Sequence, residues 1–231
     1  MTTQLLPLSA IRPAERSRAG RLWVALAITG TVLAAGTLFN RFVLWPWMQD
    51  WGATKVEVGA ALPGDDLVAN ANLRLTKGIT IQAPPQAIYP WLLQIGVDRG
   101  GMYSYDWLEN LLGLRVHSAD RIVPAYQQAR VGDFWRFTPP DYVLNPGPGL
   151  FVQELQPDRA VLLTFGLETK PEEEPFMTWQ FVLRPQPDGS TRLLLRSNVR
   201  AGAPLPIQLT YFIQFIMERR MLLGIRERAE G

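Results

Sequence analysis

From Leu22 to Asn40 the chain reads "LWVALAITGTVLAAGTLFN", 19 residues without a charge, closed by Arg21 on one side and Arg41 on the other. A helix rises about 1.5 Å per residue, so this run and its flanks can cross a hydrocarbon core of about 30 Å. Trp23 lies near one end and Trp45, Trp47 and Trp51 near the other, where indole rings favour the headgroup zone. Pro46 is expected to end the helix, because it lacks a donor and crowds the preceding turn. A cleaved leader would have a shorter basic start and a small-residue cleavage site, and the "TLFNRFVLW" that follows offers none. A core helix would be expected to carry a polar face, and this run is apolar on nearly every side. The sequence therefore divides into a basic tail (1–21), a transmembrane helix (22–45), a linker (46–72) and a domain (73–231). Four arginines precede the span, while only Arg41 and Lys55 follow it closely. That bias places the tail in the cytoplasm and the domain on the far side of the cell membrane.

Charge is partitioned in the same way. Up to Asp50 there are five arginines against Glu15 and Asp50, a net of +3; the remaining 18 basic and 19 acidic residues give −1, which together make the overall +2. A nucleic-acid face needs Lys and Arg clustered on the folded body, so no nucleic-acid partner is expected. Cysteine is absent and His117 is the one histidine. Disulfides, thiolate metal sites and cysteine nucleophiles are thereby excluded, and a histidine-rich metal site is implausible. No cofactor is implied.

The body reads as α+β. "LRLTKGITIQ" (73–82) is a first strand, and "APPQAIYPWLLQIG" follows it with Pro84 and Pro85 suited to a helix start. Ile88, Trp91, Leu92 and Ile95 recur at helical spacing. A short second helix is expected in "GGMYSYDWLENLLG" (100–113), with Asp106 and Glu109 as an N-terminal cap and Gly113 as its stop. Its apolar side would be Trp107, Leu108, Leu111 and Leu112. After residue 131 come five strand-like runs, "VGDFWRFT", "GLFVQELQ", "AVLLTFGL", "FMTWQFVLRP" and "TRLLLRSNVRA". Turns such as "QPDR" and "QPDGS" separate them, and the short spacing implies antiparallel neighbours. A long helix closes the chain after Pro206. Its uncharged stretch, Leu205 to Met217, is 13 residues, too short to span and suited to packing on a sheet.

With this order, "ITIQAPPQAIYPWLLQIG", "GGMYSYDWLENLLG", "HSADRIVP", "VGDFWRF" and "MERRMLLGIRERAE" resemble the SRPBCC superfamily, the START-like or helix-grip fold, and more narrowly its bacterial polyketide cyclase/dehydrase-like members. The resemblance spans roughly residues 50 to 229. It implies a curved antiparallel sheet gripping the last helix around an apolar cavity, and hence a hydrophobic small molecule or lipid as partner. Fold alone does not fix function. A lipid- or ligand-holding module, a cyclase or dehydratase, and an interaction domain with a self-filled cavity all remain open, with binding favoured over catalysis.

Several residues are candidates for the site. Tyr103, Tyr105 and Trp107 either line the cavity or pack internally, since aromatic rings with polar tips suit both roles. Trp91 belongs with them. Trp135 and Phe137 share one face of their strand, as do Met177, Trp179, Phe181 and Leu183, by period-two alternation. For catalysis the candidates are weak: His117 with Asp120 as its orienter, Asp106 paired with Glu109, and Tyr103. Both acids also suit the first turn of a helix, where negative charge is stabilised. Arg196 faces inward, toward an anionic ligand group, or outward.

Overall fold

The computed structural model describes residues 18–142, 147–171, 173–200 and 207–231. The chain divides into two compact units, Met1–Pro46 and Trp47–Gly231.

In the first unit, α1 runs over Arg18–Phe39. Thr31 and Thr37 return their hydroxyls to the carbonyls of Ala27 and Leu33, at 2.9 and 2.8 Å, so neither polar group is left unmet in an apolar surrounding. Pro46 does not stop the helix as expected. A π-helical turn at Asn40–Leu44, closed by the Trp45 amide on the Asn40 carbonyl, leads into α2, Trp45–Gln49. The wider turn shifts the bonding frame just before the proline, which relieves its missing donor and ring crowding. The run Leu22–Gln49, 28 residues of mean hydropathy 1.9, is long and apolar enough to cross a membrane.

The second unit is an α+β helix-grip arrangement. Its elements are α3 (Lys55–Gly59), β1 (Leu73–Ile81), α4 (Pro85–Leu93), α5 (Asp106–Leu111), β2 (Phe134–Arg136), β3 (Pro148–Gln156), β4 (Ala160–Leu167), β5 (Thr178–Pro185), β6 (Thr191–Val199) and α6 (Ile207–Glu230). The strands form one sheet in the order β1-β6-β5-β4-β3-β2, with antiparallel pairing throughout. Each of the five runs after residue 131 is a strand, because alternating apolar residues and turn residues agree at every hairpin. The exception is an irregularity between Val152 and Glu154, where β3 shifts register against β4.

Pairing separates the two faces of the sheet. Lys77 lies opposite Leu195, Leu163 opposite Trp179 and Trp135 opposite Leu150, and these rows line the inner face. Against it α6 buries Tyr211, Phe215, Glu218, Leu222 and Ile225, which recur at helical spacing along one side.

The outer face is covered by the segment read above as a linker. From Trp47 onward it belongs to the compact unit. The Gly78 amide donates to the Trp51 carbonyl at 3.1 Å, beyond the β1 edge. Gly52 follows at φ +70°, and a Cβ there would collide with the Gly78 carbonyl oxygen, so only glycine passes this crossing without strain. The chain then turns onto the outer face through α3, whose Thr54 and Glu57 form a capping box. Leu62 packs with Ala160, Leu162, Val182 and Leu194 in a small apolar cluster.

Arg196 holds this strap. Its side chain faces outward and is fully buried, and all five of its N–H donors are used. Nε donates to Thr76 at 3.1 Å; one terminal nitrogen reaches Ala60 O and Asp65 at 2.7 and 2.9 Å; the other reaches Glu57 O and Val58 O at 2.8 and 3.0 Å. Glu57 in turn takes Arg192 in a forked pair at 2.7 and 2.9 Å. That pairing holds its carboxyl down at about 2.

Candidate functional site

Between the sheet and α6, four polar side chains from three elements meet inside an apolar surround. Lys77 of β1 places its ammonium 2.7 Å from Glu218 of α6, with both side chains almost wholly buried. The indole of Trp179 on β5 donates to Glu218 Oε1 at 2.8 Å, and the Gln214 amide, one turn earlier on α6, donates to the same oxygen at 2.6 Å. Glu218 Oε2 faces Lys77 but accepts no aligned hydrogen bond from the described residues. Asp50 is close enough for Lys77 to act on it; burial raises the Asp50 carboxyl above the usual range, and Lys77 opposes that shift.

Aromatic rings continue from this polar pole. Trp179 meets Phe165 and Phe137 at centroid distances of 5.2 and 5.7 Å, Phe137 meets Phe165 at 5.5 Å, and Phe165 meets Phe176 at 6.1 Å. Packing is graded along this row. Trp135, Phe181 and Leu163 have essentially no exposed surface, whereas Phe137 and Gln214 are half-buried and Phe176 is exposed. The interior is thus closed around Trp135 and Phe181 and loosens toward Phe137, Phe176 and Gln214. A separate open groove of about 650 Å³, lined by Pro63, Pro85, Pro157, Arg159, Arg184 and Pro185 among others, lies by the β3–β4 turn. None of these aromatics enters it.

The stretch 100–113 splits three ways. Tyr103 is buried, its hydroxyl donating to the Trp91 carbonyl at 3.1 Å and its ring meeting Trp91 edge-on at 5.8 Å. Burial pushes its hydroxyl pKa up, which makes it a poor acid or base near neutrality. Arg228 of α6 lies over the same ring at 4.9 Å and also donates to the Ala119 carbonyl at 2.7 Å. Tyr105 is half-buried at the start of α5, and Trp107 is 68% exposed.

Of the expected apolar side of α5, only Leu108 is turned in, and it is half-buried. Leu111 and Leu112 are exposed along with Trp107, while Glu109 is buried with one carboxylate oxygen unpartnered among the described residues. Desolvation, with Asp106 adding to it, raises the Glu109 carboxyl to about 7. The reason lies in how α5 is anchored. Ser104 donates to the Met217 carbonyl at 3.2 Å, Asp106 accepts from the Ser118 amide and hydroxyl at 2.7 and 2.6 Å, and Asn110 brackets Val116 at 2.8 and 2.6 Å. These polar ties turn the helix, overriding its apolar side.

Asp106 is therefore occupied in holding the 118 turn. His117, Asp120 and Arg121 are all exposed, and among the described residues no hydrogen bond or ion pair joins His117 to Asp120. The geometry does not assemble a base with its orienter. Among the described residues, no group of three or more His, Asp or Glu comes together to hold a metal.

Sequence reading missed Lys77, Glu218 and Gln214. The signal was present: Lys77 alternates with Leu75 and Ile79 on the inward side of its strand, and Glu218 falls on the stripe of Tyr211, Leu222 and Ile225. Opposite charges interrupted two apolar rows that had to face each other.

No protein-family model matches the chain, and no curated protein matches it. Among solved structures it is similar to the Aha1 dimer from Colwellia psychrerythraea, at 18% identity and TM-score 0.42, covering 68% of this chain and 96% of that one. It is also similar to EF2215 from Enterococcus faecalis, at 16% identity and TM-score 0.41, covering 71% and 75%. PFC0360w, an HSP90 activator from Plasmodium falciparum, is similar at 12% identity and TM-score 0.32, covering 56% and 75%. At these identities and TM-scores the likenesses carry no argument about ligand, partner or activity.

Proposed function

We propose that the second unit is a binding module for an amphipathic small molecule or lipid, held at the cell membrane by the run Leu22–Gln49. The ligand's apolar body lies along Phe137, Phe165 and Phe176, and its one polar group reaches the Lys77–Glu218 pole. The observation that carries this reading is the buried ion pair, met by Gln214 and Trp179 inside an aromatic face. Such a pair is weak as a stabiliser, since apolar side chains of similar volume hold a core as well or better. Its formal charges cancel, so it suits a neutral hydrogen-bonding group such as a hydroxyl or carbonyl better than an ionic head. Pockets of this kind combine mostly apolar walls with few convergent polar groups.

The test is extraction of the full chain, purified in detergent, followed by mass spectrometry of what it carries. A neutral amphiphile bearing one polar group is expected in the native protein, and much less of it in Glu218→Gln. An empty native protein that also fails to take up a fluorescent long-chain alcohol would end the reading.

A further inference from the structure

We infer that the outward side of α6 at Phe212 and Ile213 is a lipid-docking surface that seats the second unit on the headgroup boundary of a bilayer. On this stretch of α6 Tyr211 and Phe215 are buried, yet Phe212 and Ile213 are 40% and 51% exposed. Neighbouring large apolar side chains exposed on a helix whose other side is already buried form a patch that a second apolar medium would cover. Trp47 is itself 51% exposed and meets Phe215 edge-on at 5.1 Å; Trp51 meets the same ring at 6.5 Å. Trp47 thus packs on the same turn of α6 that exposes Phe212 and Ile213.

Two observations select lipid as the occupant over a second copy of the chain. Trp47 lies inside the run Leu22–Gln49 that is apolar enough to cross a membrane; where that run is inserted, its end lies at headgroup level, the depth indole rings favour. Further along α6 comes Arg219, its guanidinium 5.0 Å from the Trp51 ring centre, and then Arg220, which is forked onto Glu227 at 2.6 and 3.0 Å. Apolar side chains followed one to two turns later by Arg219 match the order of acyl boundary and phosphate. The inference rests on the membrane reading above and is independent of the ligand.

The absence of cysteine makes a direct test possible. Phe212→Cys, Ile213→Cys and Arg159→Cys, each labelled with bimane, are reconstituted as full chains in phosphatidylcholine–phosphatidylglycerol vesicles. Arg159 is exposed in the β3–β4 turn, at the end of β4 away from Phe165. Lipids brominated high in the acyl chain should cause at least about a twofold loss of emission at 212 and 213 and leave 159 unchanged. Co-flotation with vesicles reports the anchor separately. Flotation without quenching at 212 and 213 overturns the docking surface and leaves the anchor standing. Failure to float overturns both. Emission that follows protein density and ignores bromine overturns the proposal in favour of contact between copies.

Discussion

Lys77 and Glu218 each sit where an apolar side chain would pack without difficulty, and their replacement separates two roles. Lys77→Met leaves a buried carboxylate without its counter-charge, a change that costs about 3–5 kcal/mol. The double variant Lys77→Met/Glu218→Leu removes both charges and should recover most of that loss. Denaturant unfolding followed by tryptophan fluorescence checks both. If the pair serves a ligand, the double variant regains stability yet still fails to retain the extracted amphiphile. Glu109 gives a second prediction at this scale. Its carboxyl is raised to about 7 in the folded chain from an ordinary 4.5, so the folded state holds its proton more tightly than the unfolded one. The associated stability is present in full below pH 4.5 and is lost as pH rises through about 7. The loss is at most about 3 kcal/mol, the scale set by 1.36 kcal/mol per pH unit. Unfolding free energy of Glu109→Gln, measured between pH 4 and 8, should lack this part of the slope; an unchanged slope would exclude Glu109 as its source.

Among the elements, strands were legible and helix orientation was not. β3 to β6 announce themselves through alternation and hairpin turns, both local signals. For α5 the periodicity located the helix but chose the wrong inward side. Which side turns in is decided by Ser104, Asp106 and Asn110 bonding to Met217, Ser118 and Val116, partners that helical spacing does not contain. Exposure predicts that Leu111→Ser changes unfolding free energy by no more than about 0.5 kcal/mol. A loss of 2 kcal/mol or more, the size expected from a buried leucine, would place this side against protein. The opposite holds where α6 meets residue 103. A Cβ at Gly224 would collide with the Tyr103 carbonyl oxygen, a backbone atom that cannot swing aside. Gly224→Ala should therefore lower stability by about 1–3 kcal/mol, as overpacking does, with the Tyr103 contact disturbed in near-ultraviolet circular dichroism.

Across the whole molecule, the segment that follows the apolar run is fastened to the sheet instead of hanging as a tether. Sequence pattern could not show this. Residues 52–65 carry no strong period, and their fastening depends on Arg192 and Arg196, more than 130 positions away. Arg196→Met tests the consequence. It leaves the carbonyls of Glu57, Val58 and Ala60 and the Asp65 carboxylate without the donors they share. Breaking such a buried set costs about 3–5 kcal/mol, but the cost falls locally, because the six-stranded ladder does not pass through the strap. Hydrogen exchange should therefore speed up at the Val58 and Ala60 amides, which close α3, while β5 and β6 amides keep their protection. Arg196→Lys offers three donors to five acceptors and no planar fork, so its exchange should fall between native and Met. If exchange rises equally in the strap and the inner strands, the strap is part of one cooperative unit with the sheet. The chain emerging from the apolar run would then be coupled directly to the core around Lys77 and Glu218.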